Sequence, residues 1–362
     1  MISMAENKVL QPFSMKIIPL TKLALINFEK DPDSIYSGLE LQWYDSPETG
    51  TGFRLIAYRR DEYVDVFDDT TLLPHQGGGF EVCGKGLKHY RHTPFTNPCF
   101  KLIDGKLKLA FSLNDYKGRK IEVFLEEHDN RPSKPMDLIA PIGISSEKPV
   151  CLPVFAMYQF DLVRKKNTSI TIMIDGKPRK PDPFPVPLPK ERQMRYFARY
   201  GYDCELIEFG TAANDTLPLL DCVNDQTKNN NLVATYTWAS DQRLMKSLSF
   251  YHSKHFFALC FEDGFPDLLR MANGTISGTF KIQMDQSMGS ISGKYTVTKQ
   301  NNKIDITLVP SDGWVTKGNS LLTKLLFQKK SIFRYWPKTY EYTQHIDLTS
   351  FTSTTSWKRL KK

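Results

Sequence analysis

Apolar and polar residues alternate along several short runs of this chain. Residues 107–113 place Leu or Phe at every second position, and residues 121–126 alternate in the same way after a polar turn. Residues 294–298 and 304–308 repeat the pattern, again with polar residues between the two runs. Successive side chains of a strand point to opposite faces of a sheet, so each pair of runs predicts an antiparallel hairpin with one buried face.

Two Asp-Gly dipeptides predict tight turns. Asp104-Gly105 and Asp175-Gly176 each follow an isoleucine and precede a lysine, and glycine can supply the positive φ that such turns need. Apolar residues at helical spacing occur as well, in fewer places. These stretches are residues 190–199, 240–249 and 321–326. The chain is therefore predicted to be mainly β with a few helices.

Six prolines fall within residues 178–189, near the middle of the 362-residue chain. Proline fixes φ and removes a backbone donor, so this stretch is predicted to be an extended strap. Domains usually have about 100–200 residues, so we place a boundary here, between an N-terminal antiparallel β domain (1–177) and a C-terminal β-rich domain with helices and a basic end (190–362). The predicted fold is two antiparallel β-barrel-like or β-sandwich domains. A strap that crosses one large β structure is the alternative.

The net charge of the chain is concentrated at its C-terminal end. Residues 317–362 carry ten Lys and Arg against two acidic residues, a net charge of +8 that equals the net charge of the whole protein. Such an excess attracts anionic partners, and we name an anionic membrane surface ahead of nucleic acid. The alternative is that the apolar residues of this end pack a core while its cations stay solvated. The candidate surface residues are Lys329, Lys330, Arg334 and Lys338.

The sequence predicts the absence of a targeting signal, a membrane span, disulfide bonds and a metal site. The start of the chain has no basic segment followed by an apolar one, and no run approaches the roughly 18 apolar residues of a membrane span, so a cytoplasmic location is expected. Six scattered cysteines without a C-x-x-C pair favour reduced thiols. The pairs His89/His92 and His252/His255 are spaced i,i+3, which on a strand points the two rings to opposite faces. We therefore predict no metal site, and the sequence implies no cofactor.

Asp161 interrupts an apolar run. Residues 154–163 are apolar at both phases of the alternation apart from Gln159 and Asp161, which predicts a strand covered on both faces. A buried carboxylate is paired, protonated or functional, because desolvation of an unpaired charge is costly. Basic residues follow at 164–166, so one interpretation is a salt-bridged strand end. The other is a polar group that faces a ligand cavity.

The candidate site residues fall into two further groups. Those for acid–base catalysis are Asp161, Tyr158 and His92. Those for ligand binding are Gln159, Tyr90, His89 and Trp238.

The strand-turn-strand texture of residues 107–126, Ala140-Pro141-Ile142-Gly143 and residues 154–176 resembles that of tandem calycin (lipocalin-like) proteins. This group includes relatives of carotenoid hydratase and tocopherol cyclase. The resemblance implies barrels that enclose an apolar ligand and, in some members, acid–base chemistry on an isoprenoid or polyketide. It spans about half of the chain and carries over no catalytic residue.

These patterns predict a protein that binds a small, largely apolar molecule, such as a lipid, isoprenoid or polyketide, in a β-barrel-type cavity. A second hypothesis is a cofactor-independent hydratase, cyclase or isomerase on the same scaffold. A third is an interaction protein that docks on an anionic surface through its basic C-terminus. Binding that falls steeply with salt would distinguish the third from the other two.

Overall fold

A computed structural model gives the structure of most of the chain. It describes residues 7–18, 20–74, 86–130, 135–141, 152–184, 194–210, 214–240, 242–252, 255–285, 287–311, 314–317 and 340–360. Throughout these ranges the protein is all β and contains no helix. The chain divides into two compact units, which we call the sandwich unit (Ile18–Asp137 and Ala156–Leu206) and the half-barrel unit (Met1–Ile17, Leu138–Phe155 and Ile207–Lys362).

The strands of the first half are β1 (Lys8–Leu10), β2 (Met15–Ile18), β3 (Leu20–Asn27), β4 (Tyr36–Ser46), β5 (Gly50–Arg59), β6 (Tyr63–Asp68), β7 (Gly86–His92), β8 (Thr96–Ile103), β9 (Lys106–Asn114), β10 (Lys120–Glu127), β11 (Met136–Pro141), β12 (Leu152–Arg164), β13 (Thr168–Ile174) and β14 (Lys177–Arg179). Those of the second half are β15 (Arg195–Gly201), β16 (Cys204–Phe209), β17 (Asn214–Thr216), β18 (Leu219–Asp221), β19 (Gln226–Asn229), β20 (Leu232–Ala239), β21 (Gln242–His252), β22 (His255–Pro266), β23 (Gly274–Met284), β24 (Ser290–Gln300), β25 (Lys303–Pro310), β26 (Tyr340–Asp347) and β27 (Thr352–Arg359).

The sandwich unit packs two sheets around one core. One sheet has the order β14-β13-β10-β9-β8, and the other includes the run β12-β15-β3-β4-β5-β6-β7. Alternate side chains of both sheets meet in a single cluster that includes Leu41, Leu55, Leu109, Val123 and Ile172, each at most 3 % exposed. Two sheets that bury one face against each other form a β-sandwich.

The half-barrel unit is built on one long antiparallel sheet. Its ten strands have the order β17-β27-β26-β25-β24-β23-β22-β21-β20-β19, so successive strands from β19 to β27 are neighbours, and the sheet curls into a half-barrel. Aromatic rings fill its concave side. Phe13 lies 5.2 Å from Phe265, 6.0 Å from Phe261, 6.1 Å from Phe209 and 6.3 Å from Tyr342, measured between ring centroids.

The hairpin and turn predictions are confirmed. β9 pairs antiparallel with β10, and β24 pairs antiparallel with β25. Asp104-Gly105 and Asp175-Gly176 join paired strands and have positive φ at both residues, which is the conformation of the tight hairpin turn. β12 is covered on both faces along most of its described side chains, with Gln159 as the exposed exception.

The helices predicted near residues 190–199 and 240–249 are wrong where the structure describes these stretches, because β15 covers residues 195–199 and β21 covers residues 242–249. A bulge between Met245 and Ser247 interrupts the alternation of β21, so its buried residues Arg243, Met245, Leu248 and Phe250 fall at uneven intervals that resemble helical spacing. On β15, Ala198 and Tyr200 belong to the core cluster while Phe197, at the other phase, packs against Phe184, so apolar residues occur at both phases. The third predicted helix, at residues 321–326, lies outside the described residues.

Two further features differ from a plain antiparallel arrangement. β6 and β7 pair in parallel, with Asp65 opposite His89 and Asp68 opposite His92. In the predicted strap, Pro178 lies on the edge strand β14, where a missing donor is tolerated, and Pro183 bridges to Tyr196. Residues 178–184 belong to the sandwich unit, and residues 185–189 lie outside the described ranges. A domain boundary at the strap stays a prediction.

Candidate functional site

A cavity of about 170 Å³ opens at one end of the half-barrel sheet, where the chain passes from β22 to β23. We call it the rim cavity. Its lining consists of Gln242, Arg243, Pro266, Asp267, Arg270, Met271, Ala272, Asn273, Gly274, Thr275 and Ile276. The lining is therefore partly apolar, and its charged residues are two arginines and one aspartate.

Hydrogen bonds hold the loop that forms this wall. The Asp267 carboxylate accepts from Arg270 Nη1 at 2.5 Å and from the Leu269 amide at 3.1 Å, and the Met271 amide donates to the Asp267 carbonyl at 2.8 Å. Lys299 Nζ donates to the Leu268 and Leu269 carbonyls at 2.9 and 3.2 Å. Burial lowers the pKa of Lys299. The loop is thus positioned by its own Asp267 and Arg270 and by Lys299 of β24.

Arg243 connects the cavity to Trp238, one of the predicted ligand-binding residues. The two face each other on β21 and β20, and the Arg243 guanidinium carbon lies 4.9 Å from the Trp238 ring centroid. Arg243 is 3 % exposed, whereas Trp238 is 51 % exposed and donates from Nε1 to Asp225 at 3.0 Å. Beside this cluster, burial raises the pKa of the Cys222 thiol, and it raises the pKa of Tyr236 to about 12. Neither group is a ready proton donor at neutral pH.

A second constellation, in the sandwich unit, centres on Asp65 of β6. This side chain is fully buried and is bonded by Tyr36 Oη at 2.8 Å, Arg59 Nη1 at 3.0 Å and His89 Nδ1 at 2.8 Å. The His89 ring stacks on Tyr116 with centroids 3.9 Å apart and planes 14° apart. The His89 side chain is 37 % exposed, so one edge of a fixed imidazole reaches the surface.

The opposite face of the same strands carries predicted residues Tyr90 and His92. Tyr90 Oη donates to the buried Asp68 at 2.8 Å and lies 3.0 Å from His92 Nε2. Asp68 also receives two bonds from Arg54, at 2.6 and 2.7 Å. Arg54 in turn lies 3.4 Å from Tyr44 Oη. The structure therefore brings Tyr90 and His92 together, and it places His89 on the other side of the sheet.

Tyr44 Oη donates to Gln42 at 2.7 Å, which places Glu40 at the far end of this hydrogen-bonded chain. The sequence patterns did not identify Glu40. It is 2 % exposed and accepts from Tyr58 Oη at 2.5 Å and from Gln42 Nε2 at 2.6 Å. Burial raises the pKa of this carboxyl, against the smaller opposing effect of those two hydrogen bonds and of Arg199. Leu39 and Leu41 alternate with Glu40, a pattern that assigns Glu40 to solvent. No local signal indicates that this second face is covered too.

The predicted residues of β12 lie apart from those of β7. Asp161 is 7 % exposed, accepts from the Leu162 amide at 2.7 Å and lies 3.8 Å from Arg195 Nη2. Tyr158 is 6 % exposed. Gln159 has a φ of 55°, and its backbone amide donates to Asp137 Oδ1 at 3.0 Å. Six strand spacings of about 4.8 Å separate β12 from β7, about 29 Å along the sheet, and no described contact brings Asp161 and His92 together.

The chain was compared with known proteins. No family model matches it. No curated protein and no solved structure matches it either. Its function must therefore be inferred from the chemistry of these constellations.

Some of the sequence hypotheses concern residues that the structure describes only in part or not at all. The candidate surface residues Lys329, Lys330, Arg334 and Lys338 all lie outside the described ranges. Among the residues that the structure describes, no three His, Cys, Asp or Glu side chains are grouped to hold a metal ion. In that same part of the chain, no helix is long and apolar enough to span a membrane.

Proposed function

We propose that this protein binds a small, largely apolar molecule that carries one acidic group, and that the rim cavity is the binding site. The observation that carries this proposal is the partly apolar cavity of about 170 Å³ with Arg243 and Arg270 in its wall. The proposal keeps the small apolar ligand expected from the sequence. It moves the site from the interior of a barrel to its end, because aromatic rings around Phe13 occupy the concave side of the sheet.

The size of the cavity limits the ligand. A cavity of about 150 Å³ accommodates benzene, so the rim cavity suits a group of roughly six to ten non-hydrogen atoms. Pro266, Met271, Ala272 and Ile276 supply apolar contacts for such a body. A long isoprenoid or lipid chain would enter only in part.

The charge of the wall favours an anion. The wall contains two arginines and one aspartate, and the attraction between a guanidinium and an anion is stronger in a site partly withdrawn from water than in solvent. Guanidinium groups also bind carboxylates through paired hydrogen bonds. The calycin resemblance agrees with small-molecule binding in a curled sheet, and membership of that group remains part of the proposal.

Calorimetric titration of the full chain with benzoate tests the proposal, with benzyl alcohol as an uncharged probe of the same size. At about 0.3–0.5 kcal/mol per non-hydrogen atom, the nine such atoms of benzoate give a Kd of about 0.5–10 mM. Benzyl alcohol should bind about tenfold more weakly, because it lacks the charge-assisted hydrogen bonds. Equal affinity for the two probes would refute the acidic group, and no binding of either would refute the site.

Two variants locate the binding. Ala272 is exposed on the cavity wall, so Ala272→Phe should fill the cavity and abolish benzoate binding without loss of folding. Arg270→Gln should weaken benzoate about tenfold and leave benzyl alcohol unchanged. Arg91→Gln removes an exposed arginine of the sandwich unit and is the matched control. Benzoate binding that survives Ala272→Phe would place the ligand elsewhere and overturn the assignment.

A further inference from the structure

The sandwich unit holds a histidine whose protonation geometry is set by its neighbours. A carboxylate only accepts hydrogen bonds, and three donors converge on Asp65, which is fully buried. His89 Nδ1, 2.8 Å from Asp65 Oδ1, is therefore the nitrogen that carries the proton of the neutral ring. The lone pair of neutral His89 must then reside on Nε2.

The ring plane is fixed as firmly as the tautomer. Tyr116 stacks on the His89 imidazole at 3.9 Å, and Arg59 Nη1 donates both to Asp65 and, at 3.3 Å, to Tyr116 Oη. One arginine thus connects the partner of Nδ1 to the ring that covers one imidazole face. Because the His89 side chain is 37 % exposed, this fixed ring can be approached from solvent.

From this geometry we propose that His89 is a catalytic nucleophile for carboxylic esters at a second site, independent of the rim cavity, with Asp65 as its positioning residue. Oriented aspartate–histidine pairs of this kind fix the tautomer and stabilise the imidazolium in acyl transfer. Here the imidazole itself is the attacking group, since it presents the free lone pair.

The reaction balances without a cofactor. The Nε2 lone pair forms a bond to the acyl carbon, the ester C–O bond breaks, and the leaving oxygen takes its electron pair. The acylated ring is cationic, and its Nδ1–H remains hydrogen-bonded to the Asp65 carboxylate. Water then adds to the acyl carbon, the C–N bond breaks, and the products are the carboxylic acid and neutral His89 after one proton leaves to solvent.

The chain contains a natural control. His345 also lies with Nδ1 close to an aspartate, 2.6 Å from Asp305, but both side chains are largely exposed, at 66 % and 63 %. The carboxylate beside this second imidazole is exposed, and among the residues that the structure describes no aromatic ring stacks on it. His345 should therefore react like free imidazole.

Hydrolysis of p-nitrophenyl acetate by the full chain tests the proposal. We expect a rate per protein at least about tenfold above that of an equal concentration of imidazole, lost in His89→Gln and retained in His345→Gln. Equal loss in both variants, or no loss in His89→Gln, would overturn the proposal. Since His89 is partly exposed, His89→Gln should fold, and its circular dichroism spectrum verifies this.

A second measurement keeps the role of Asp65 testable even though Asp65→Asn could unfold the unit. Long-range proton–nitrogen NMR of the wild-type protein should show neutral His89 with its proton on Nδ1. A neutral His89 protonated on Nε2 would overturn the proposal, because that nitrogen would then have no lone pair for attack. Benzoate binding is measured separately, so a negative result for His89 would not count against ligand binding in the rim cavity.

Discussion

Glu127 and Arg164 form an ion pair that is almost completely withdrawn from solvent in the sandwich unit. Arg164 Nη2 lies 3.1 Å from Glu127 Oε2, and the two side chains are 5 % and 1 % exposed. Glu127 also accepts the Leu107 and Arg164 backbone amides, at 3.1 and 2.9 Å. Its hydrogen bonds raise the pKa of Arg164, so the guanidinium stays charged. A charge pair at this depth is costly to break, because removal of one partner leaves a buried charge without its counter-charge.

Glu127→Ala should therefore destabilise the sandwich unit by about 3–5 kcal/mol, because the guanidinium loses the carboxylate that offsets its desolvation. The neighbouring Glu126 is the matched control: it pairs with Lys108 at 3.0 Å, with 28 % and 37 % of these side chains exposed. Glu126→Ala should cost under about 1 kcal/mol. Urea unfolding followed by circular dichroism measures both, and equal losses would contradict the account.

Glu40 should make stability fall as pH rises. Burial holds its folded-state pKa above the ordinary value of a glutamate, so the folded state keeps this proton when the unfolded chain has already lost it. The stabilising effect of the proton is complete below the unfolded pKa of about 4.3 and declines as pH increases through the raised folded value. Glu40→Gln removes this titration.

The difference in unfolding free energy between wild type and Glu40→Gln is the quantity to measure, from pH 4 to pH 8. It should shift steadily in favour of the variant as pH rises. A difference that does not change over this range would show that the Glu40 carboxyl titrates normally. Glu122→Gln, at a half-exposed position of β10, is the matched control for replacing a glutamate by glutamine.

Gly105 should be needed for its backbone conformation alone. Its φ is +70°, and a Cβ added there would meet nothing within 4 Å, so Gly105→Ala should cost about 1–2 kcal/mol through strain without any clash. Gly38 provides the contrast, because its φ is ordinary and an added Cβ would make contacts of 3.4–3.8 Å. Gly38→Ala should be neutral or slightly stabilising by urea unfolding. The reverse order would contradict the turn assignment.

Phe13 should contribute strongly to the stability of the half-barrel unit. Its ring meets four other aromatic rings within 6.3 Å, and Phe13 is 2 % exposed. Phe13→Ala should cost about 3–5 kcal/mol, and Phe13→Leu about 1–2 kcal/mol, since the leucine keeps most of the volume. Tyr251→Ala, at a residue that is 65 % exposed, is the control. Tryptophan fluorescence during unfolding reports the three values, and a small loss in Phe13→Ala would mean that the concave side is loosely filled.

Local pattern predicts much of this fold where a strand has one buried face. The hairpin of β9 and β10 could be predicted because Leu107, Leu109 and Phe111 alternate with polar residues, and Asp104-Gly105 indicated the turn before it. The pattern fails where both faces are covered or where a bulge changes the phase. Met245 and Leu248 of β21 were assigned to a helix for that reason.

The candidate sites could be predicted only in part, because they depend on contacts between distant residues. His89 was singled out for its spacing from His92, but its partner Asp65 is opposite it only through the parallel pairing of β6 and β7. Trp238 was named from the sequence, whereas Arg243 and Arg270 were not. Arg270 lies on a loop without periodicity, and its approach to the cavity follows from the fold of that loop around Asp267.

The central claim is that the rim cavity binds a small apolar acid, and Met271 is the most direct reporter because it lines the cavity and is 6 % exposed. Protein labelled with carbon-13 at the methionine methyl groups should be titrated with benzoate and followed by NMR. We expect the Met271 methyl signal to shift with saturation at the calorimetric Kd, while that of Met173 on β13 stays in place. An unmoved Met271 signal at benzoate concentrations that saturate the protein would contradict the claim.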